Sequence, residues 1–264
     1  MKMLAAFDWT TFWDRIFGVD SAFTRALFAT IYIAVIAQIL GVALGLLLAM
    51  MRSSQIRVLG VISGFYVWVF RGTPVIVQIF FVYFGVNILF GVTLIPNAIG
   101  FGFFTLGGAE LAGILALGFN EGAYMREIIR AGIDSVDRGQ LEAARSLGMT
   151  HGLAMRRIVL PQAARVIVPP LGNEFNNMLK TTSLLFFIGV VELWGNAEIG
   201  YSQTFKPVEY FAAVAVWYLL LTTIWTFVQS WIERRLAASD REDGLVTIGD
   251  RMRGAFSLSS RGRA

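Results

Sequence analysis

The sequence has no cysteine and only one histidine, and these shortages exclude several kinds of site. Without cysteine there is no disulfide, no thiolate nucleophile and no cysteine metal site. The single histidine, His151, lies in a basic loop and cannot build a metal site alone. Lysine is also scarce, and no lysine completes the G-x-x-x-x-G-K-[ST] pattern of a phosphate-binding loop. We therefore expect no metal site and no nucleotide-hydrolysing site in this chain.

Charged residues are also few, at 15% of the 264 residues, whereas a soluble domain has about 25%. The charges cluster in short stretches between long apolar runs, and the mean hydropathy is +0.65. A membrane-spanning helix needs roughly 20 apolar residues. The net charge of +4 could suggest nucleic acid, but the basic residues flank the apolar runs, where membrane topology explains them. The composition predicts an integral membrane protein that does not bind nucleic acid.

The apolar runs predict an all-α protein with about five transmembrane helices. One stretch, 58–91, is too long for a straight span, because its residues at about 1.5 Å each would reach ~51 Å across a core of about 30 Å. Proline ends or kinks a helix, so the break falls at Arg71-Gly72-Thr73-Pro74. Residues 58–70 are then an interfacial or re-entrant helix. The five spans are predicted at about 24–50, 74–91, 107–130, 168–193 and 208–232.

The two ends of the chain differ from the apolar middle, 22–236. Residues 7–18 alternate between aromatic and polar side chains at helical spacing, which is typical of a helix in the membrane interface. We expect an interfacial amphipathic segment over 1–21, and no signal peptide, because three aspartates interrupt any apolar core. The tail, 237–264, is rich in Ser, Arg, Gly and Asp and is predicted to be disordered. In the first span, Gly41-x-x-x-Gly45 is a weak indication of close helix packing, and ordinary helix packing is the alternative.

Positive residues alternate between loops and so predict orientation. Arginines are concentrated in the loops at 51–58 and 126–165 and in the tail, whereas the 92–106 loop has none and the 194–207 loop has only Lys206. Cytoplasmic loops carry the excess of positive residues. Five spans then place the N-terminus outside, the C-terminus inside and a loop of about 134–163 in the cytoplasm.

This loop has an ordered helical pattern. Gln140 to Leu147 are good helix formers, Gly148 supplies a helix-ending position, and Thr150 can cap a second short helix that Pro161 terminates. The pattern predicts two short helices joined by a tight turn at the membrane surface. Such a hairpin is suited to dock into a groove on a soluble partner.

The loop resembles the EAA loop of binding-protein-dependent ABC importer permeases. The resemblance rests on Glu142-Ala143-Ala144, on Gly148 and on Ile158-x-Leu160-Pro161. It implies the type I ABC importer permease fold in the bacterial inner membrane, with these seven residues forming a hairpin that contacts the ATPase. It further implies a cytoplasmic ATPase dimer that binds ATP and magnesium, a second permease subunit (identical or related), an extracytoplasmic substrate-binding protein and transport by alternating access.

A second resemblance narrows the substrate class. Phe70-Arg71-Gly72-Thr73-Pro74 followed by Gln78, the segment from Ala123 to Ile133 that includes Glu127, and Lys180-Thr181-Thr182-Ser183-Leu184 are similar to the polar amino-acid permeases. That group carries histidine, glutamate, glutamine, arginine or opines. The resemblance implies a polar amino-acid substrate and does not indicate which one.

Polar residues inside the predicted spans are the candidates for the substrate path, because such groups are costly in a membrane. Asn120, Tyr124 and Glu127 share one face of the third span. They either line the path or bond neighbouring helices, with Glu127 pairing Arg71 or Arg130. The fourth span is too polar to face lipid and would line the pore or the dimer interface. The candidate set is Gln78, Asn120, Glu121, Tyr124, Asn173, Asn177, Thr181 and Ser183.

Two other classes of protein remain as rivals. A one-component secondary transporter or channel would need no ATPase and no docking hairpin. A membrane-embedded enzyme would need a catalytic motif, and the sequence contains no His-Glu-x-x-His, Gly-x-Ser-x-Gly or paired-aspartate motif.

Overall fold

The computed structural model describes residues 7–91, 95–100 and 105–243, with side chains up to 236, and it is largely helical. The elements in chain order are α1 (Trp9–Phe17), α2 (Ser21–Ser53), α3 (Arg57–Gly72), α4 (Val75–Phe80), α5 (Val86–Phe90), β1 (Ala98–Gly100), β2 (Thr105–Gly107), α6 (Gly108–Asp134), α7 (Arg138–Ser146), α8 (His151–Ala154), α9 (Leu160–Thr181), α10 (Leu193–Thr204) and α11 (Pro207–Asp243). Phe81–Gly85 and Met155–Val159 are π-helical turns, and Thr182–Ile188 is a 3₁₀ helix.

Helices α2 and α6 form the central pair, and small residues let their backbones approach closely. A Cβ atom built on Gly41 would lie 2.6 Å from Cβ of Glu121, and one built on Gly45 would lie 2.8 Å from the backbone nitrogen of Arg126. Gly118 of α6 meets Leu40 of α2 in the same way, at 2.6 Å. Small residues on both helices are the usual means of close packing inside membranes. The Gly41-x-x-x-Gly45 packing face is therefore confirmed.

The predicted break in the second apolar stretch is confirmed. The axes of Arg57–Gly72 and Val75–Phe90 differ by 108°. Helix α3 ends at Gly72, and Pro74 is the N-cap of α4. This is the position expected for proline, which lacks the N–H that a helix interior requires.

The fold is mostly helical, as the all-α prediction expected, and one short pair of strands is the exception. β1 and β2 form an antiparallel pair with Ala98 opposite Gly107 and Gly100 opposite Thr105. The backbone N–H of Gly108 donates to the carbonyl of Asn97 at 2.7 Å, which ties this pair to the first turn of α6. The strands have only three residues each, and runs this short leave no clear alternation in a sequence.

The prediction that Pro161 terminates a short helix is wrong. The helical run continues from His151 through Thr181, and Pro161 lies in the first turn of α9. In the π turn before it, the N–H of Leu160 donates to the carbonyl of Met155, five residues back. The widened turn changes the bonding pattern just before Pro161 without interrupting the helical run, and proline is tolerated in the first turn that follows.

The fourth apolar segment also begins earlier than predicted, because Pro169 and Pro170 lie inside α9. Helix α11 packs against this part of α9 and bonds to its backbone. Nε2 of Gln229 donates to the carbonyl of Pro169 at 3.1 Å, and Nε1 of Trp225 donates to the carbonyl of Gly172 at 2.7 Å. These contacts hold α11 against the segment that contains the two prolines.

The 194–207 segment, expected to be a loop, is mostly the helix α10. It packs between α2 and α11, and the N–H of Leu193 donates to Oγ1 of Thr30 at 3.2 Å. Helix α11 continues through Asp243, beyond the predicted boundary at 236. The predicted disorder of the tail from 244 to 264 lies outside the described residues.

Among the described residues, two helices are long and apolar enough to cross a membrane, namely Ser21–Ser53 and Pro207–Leu236. The number rises to four if each of two bent pairs, Arg57–Gly72 with Val75–Phe90 and His151–Ile188 with Leu193–Thr204, counts as one span. Helix α6 is not among the helices that are apolar enough to span a membrane by themselves, and it carries Glu110, Glu121 and Arg126. Glu121 and Arg126 are buried among the surrounding helices.

Candidate functional site

A polar cavity of about 400 Å³ lies where the α3–α4 break, α6 and α9 meet. Five of the eight residues predicted for the substrate path line it, together with two residues of the break and the carboxylate of Glu174. The lining residues are Thr73, Pro74, Val75, Leu117, Asn120, Glu121, Tyr124, Glu174, Asn177, Met178 and Thr181. The structure thus brings together the polar faces of two spans predicted separately.

Gln78 and Asn120 fasten the break between α3 and α4. Nε2 of Gln78 donates to the carbonyls of Phe70, at 2.8 Å, and Thr73, at 3.1 Å. Nδ2 of Asn120 donates to Oε1 of Gln78 at 3.0 Å and to the carbonyl of Phe70 at 3.2 Å. The last carbonyls of a helix have no partner within the helix. Both amides therefore cap the end of α3, which explains why this motif contains a glutamine four residues after the proline.

The two arginine partners considered for Glu127 have different roles. The Arg130 guanidinium pairs with Glu127 at 3.4 Å, and Arg126 also pairs with it. Arg71 instead lies over the ring of Tyr124, with its Cζ atom 5.3 Å from the ring centroid. A cation over an aromatic face is a favourable contact. Arg71 thus borders the cavity through Tyr124 and does not pair with Glu127.

The carboxylate of Glu121 is held against α2, and it is 4% exposed. Its Oε1 atom accepts from Nε2 of Gln38 at 3.0 Å. In the described part of the chain, neither the Glu174 carboxylate nor the Asn177 side-chain amide has a hydrogen-bond partner. These two polar groups line the cavity and are available to form hydrogen bonds with a substrate or with water.

The polar residues of the fourth apolar segment fall into two groups. Asn177 and Thr181 line the cavity, and Oγ1 of Thr181 donates to the carbonyl of Asn177 at 2.9 Å. Asn173 is exposed outside the cavity, and Oγ of Ser183 donates to the carbonyl of Lys180 at 2.8 Å. Neither Asn173 nor Ser183 lines the cavity, so the cavity gives no support to the prediction that they lie on the substrate path.

Two buried polar residues were missed by the sequence reasoning. Glu192 is 0% exposed and accepts from the N–H groups of Trp194, at 3.1 Å, and Gly195, at 2.8 Å, and from the hydroxyl of Tyr218 at 2.7 Å. Nε of Arg126, another buried group, donates to Oγ of Ser63 at 3.3 Å. An acid within an apolar run, as in Val190-Val191-Glu192-Leu193, was the available signal for Glu192.

The polar hairpin, residues 138–159, turns at Gly148 as expected, and the φ of +79° at this position suits glycine. The N–H of Gly148 donates to the carbonyl of Arg145 at 2.9 Å, and the N–H of Met149 donates to the carbonyl of Ala144 at 3.1 Å. This pair of bonds is the Schellman ending of a helix. The second arm begins at Thr150, whose Oγ1 accepts from the N–H of Leu153 at 3.4 Å.

The hairpin residues divide into an inner and an outer face. Ala144, one of the residues predicted to contact the ATPase, is 1% exposed. Glu142, Ala143 and Gly148 are exposed, and Leu147 is 83% exposed. Ile158 is half-buried in the second arm, and Leu160 and Pro161 are exposed where that arm joins α9. The outer face combines the Glu142 carboxylate, which has no bonding partner among the described residues, with the exposed side chain of Leu147.

A polar cavity at a helix break, enclosed by an apolar helical bundle with a polar hairpin at one end, defines a multi-pass membrane transport subunit. The chain belongs to the family of binding-protein-dependent transport system inner membrane components, whose family model matches residues 41–238. It is accordingly an inner-membrane permease of the amino-acid ABC importer family, as the resemblances implied. Members of this family are permease subunits, and the ATPase is a separate subunit.

Named relatives and solved structures agree on this family. The chain is 40% identical over 237 residues to the arginine transport system permease protein ArgU of Corynebacterium glutamicum, covering 87% of this chain and 72% of that protein. It is 35% identical over 211 residues to the arginine transport system permease protein ArtQ of Bacillus subtilis, covering 80% of this chain and 90% of that protein.

Among solved structures, an amino acid ABC transporter crystallised with histidines has a TM-score of 0.71 and 40% identity, covering 81% of this chain and 94% of that chain. An inward-facing methionine ABC transporter has a TM-score of 0.62 at 19% identity, covering 81% of this chain and 95% of that chain. The second likeness shows the fold alone. The fold is thus that of the type I ABC importer permeases.

Proposed function

We propose that the chain is the transmembrane subunit of an ATP-driven importer that moves a polar amino acid into the cytoplasm by alternating access. The observation that carries the proposal is the helical run from His151 to Thr181, which joins the hairpin to the cavity without a break. A helix transmits displacement along its axis because its backbone bonds are internal. A push on the hairpin would therefore reach Asn177 and Thr181 directly.

The hairpin is proposed to be the surface that a cytoplasmic ATPase dimer engages. Its outer face offers the free carboxylate of Glu142 to basic groups of the ATPase and the side chain of Leu147 to an apolar cleft. Closure of two ATPases on ATP would move two hairpins together, one from this chain and one from a second permease subunit, identical or related. An extracytoplasmic substrate-binding protein would deliver the substrate to the opposite side.

Five passes and an N-terminus outside are part of the same proposal. The passes are α2, the bent α3–α5 unit, α6, α9 with its 3₁₀ extension, and α11. Support comes from the positive residues, which cluster at the hairpin end and are scarce around the β1–β2 pair and the α10–α11 turn.

Single-cysteine labelling tests this orientation without background, because the chain has no cysteine of its own. Gly100→Cys, in the exposed β1 strand, should react with a membrane-impermeant maleimide in intact cells. Leu147→Cys, at the hairpin tip, should react only after the membrane is disrupted. The permease is expressed without its ATPase so that the tip stays accessible. Labelling of Leu147→Cys in intact cells would show that the orientation is inverted.

The cavity is proposed to be the part of the substrate path that this chain contributes. Every amino acid carries an ammonium group, which the carboxylates of Glu121 and Glu174 can attract, and Asn177 offers an amide with no internal partner. The names of ArgU and ArtQ favour arginine as the first amino acid to test, with glutamine, glutamate, histidine and an opine beside it.

Replacing Asn177 with leucine should weaken the response to substrate, because it fills the cavity and removes a free amide. The complete importer is reconstituted in liposomes with its ATPase and binding protein, and ATP hydrolysis is measured across the amino-acid panel. We expect stimulation to fall at least about tenfold, which corresponds to the ~1.4 kcal/mol of one lost hydrogen bond, while basal hydrolysis remains. Thr226→Leu, on the exposed face of α11, serves as the matched control. Unchanged stimulation in Asn177→Leu would remove the cavity from the path.

A further inference from the structure

Helix α1 presents an aromatic stripe that no other part of the described chain covers. Trp9, Trp13 and Phe17 are 62%, 48% and 74% exposed, and they follow one another at a spacing of four residues along one face. The rings of Trp13 and Phe17 stack at a centroid distance of 5.6 Å. Thr10 and Asp14, also exposed, lie on the adjoining polar side of the helix. Tryptophan at such a boundary is typical of the membrane–water interface.

The other side of α1 is fastened to the start of α11. Nζ of Lys206 lies 2.6 Å from Oδ2 of Asp8 and 3.0 Å from Oγ1 of Thr11, and the N–H of Asp8 donates to Oε1 of Glu209 at 2.8 Å. The bond from Lys206 lowers the pKa of the Asp8 carboxyl below its usual range, and the same pair raises the pKa of Lys206. Both groups are therefore charged at neutral pH. These bonds, which we call the Asp8–Lys206 latch, fix α1 relative to α11.

The turn between α10 and α11 adds a further aromatic group beside the latch. Phe205 has a φ of +55°, the one positive φ of a non-glycine residue in the described ranges, and its side chain is 82% exposed. A left-handed conformation is unfavourable for phenylalanine. Val208, at the first turn of α11, is 63% exposed. The strained turn thus holds an aromatic ring outward, close to Phe7 and Asp8 at the start of α1.

This surface is continuous with the apolar face that α11 turns outward. Leu219, Ile224 and Phe227 are 66%, 53% and 70% exposed, and α11 is one of the two helices apolar enough to span a membrane by itself. Exposed apolar side chains along a spanning helix face lipid. Because α1 is fastened at the start of α11, its aromatic stripe lies beside the end of an apolar span.

We propose that α1 and the α10–α11 turn form one lipid anchor, in which Trp9, Trp13, Phe17 and Phe205 insert into the headgroup layer and the Asp8–Lys206 latch sets their depth. Its placement in the outer leaflet rests on the orientation proposed above. The occupant is a phospholipid interface, chosen over a protein partner because the stripe continues the lipid-facing surface of α11 and ends in a polar side suited to water.

Nitroxide labels on single cysteines test the anchor in the full-length chain, reconstituted in phosphatidylcholine–phosphatidylglycerol vesicles. Trp13→Cys and Asp14→Cys are labelled separately, and collisions with oxygen, which concentrates in lipid, are compared with collisions with a water-soluble nickel chelate. The ratio of oxygen to nickel collisions should be several-fold higher at position 13 than at position 14. Equal, nickel-dominated collisions at both positions would place the stripe in water. Exclusion of both reagents at position 13 would indicate a protein partner. Either result overturns the proposal.

The latch is tested in the labelled Trp13→Cys background. Lys206→Gln should increase the mobility of the label and lower its oxygen-to-nickel ratio, whereas Arg25→Gln, which removes an exposed charge at the start of α2, should change neither. An unchanged spectrum in Lys206→Gln would show that the latch does not set the depth. The depth measurement does not depend on ATP or on orientation. If the oxygen-to-nickel ratio is high at position 13 but Leu147→Cys is labelled in intact cells, the orientation in the proposed function is contradicted. The proposal that α1 anchors the chain in lipid is then still supported.

Discussion

Replacing Gly45 with leucine should prevent most of the protein from reaching its folded state. At Gly45 the backbones of α2 and α6 approach so closely that a Cβ atom would lie 2.8 Å from the nitrogen of Arg126 and would overlap the side chain of Met125. Backbone atoms cannot move aside as a flexible side chain can. Overpacking of this kind costs about 3 kcal/mol or more, a large fraction of a typical folding free energy.

The measurement is the yield of monodisperse protein in mild detergent and its unfolding temperature. The matched control is Ala43→Leu, which introduces the same side chain two residues earlier on the exposed face of α2 and should leave both quantities unchanged. Normal yield and stability of Gly45→Leu would show that α2 and α6 are not packed as the structure has them.

Replacing Glu192 with alanine is the second change with a large expected effect. The carboxylate accepts three hydrogen bonds where the 3₁₀ helix gives way to α10, and it is fully buried. Without it, the two backbone N–H groups and the Tyr218 hydroxyl lose their acceptor. Each unsatisfied buried donor costs about 1–3 kcal/mol. We expect a strong drop in the unfolding temperature in detergent and loss of the contact between α10 and α11.

Glu192→Gln separates hydrogen bonding from mere occupancy of space. The amide oxygen of glutamine can replace one carboxylate oxygen, but its NH2 group would face a backbone N–H in place of the other. This variant should therefore retain part of the stability that Glu192→Ala loses. Equal destabilisation by both substitutions would mean that the carboxylate contributes through something other than its accepted hydrogen bonds.

Most of the membrane architecture could be predicted because each feature depends on residues that are close together in the sequence. Apolar runs locate α2 and α11, and length alone demands a break in 58–91, which Pro74 then places. The hairpin turn follows from Gly148, whose positive φ needs glycine. In each case one or a few adjacent residues decide the outcome.

The errors arose where bonding that the sequence does not display overrides an apparent boundary. Pro161, Pro169 and Pro170 look like helix boundaries, but a π turn precedes Pro161, and side chains of α11 bond to the backbone of α9 beside the other two. The 194–207 segment is mostly helical because Glu192 caps α10 and Thr30 bonds its first N–H. The partners from α11 and α2 are distant in sequence, whereas the Glu192 cap is local and could have been recognised.

The sequence predicted most of the polar residues that line the cavity, but it did not predict which of them are bonded to neighbouring residues. Asn120 and Tyr124 share one helix face, as the spacing predicted, and both line the cavity. The sequence could not show that Asn120 is committed to Gln78 and Phe70, or that the Asn177 amide is left free. Both facts depend on how α3, α6 and α9 meet in space.

The central claim is that the 138–159 hairpin couples a partner ATPase to amino-acid movement, and Glu142→Lys tests it most directly. The full importer is reconstituted in liposomes, and amino-acid-stimulated ATP hydrolysis and uptake are measured together, with Asp14→Lys as the matched charge reversal far from the hairpin. We predict that wild type and Asp14→Lys hydrolyse ATP in response to one amino acid and accumulate it, and that Glu142→Lys loses both activities. Undiminished uptake in Glu142→Lys, or uptake without any ATPase, would contradict the account and favour an ATP-independent secondary transporter or channel.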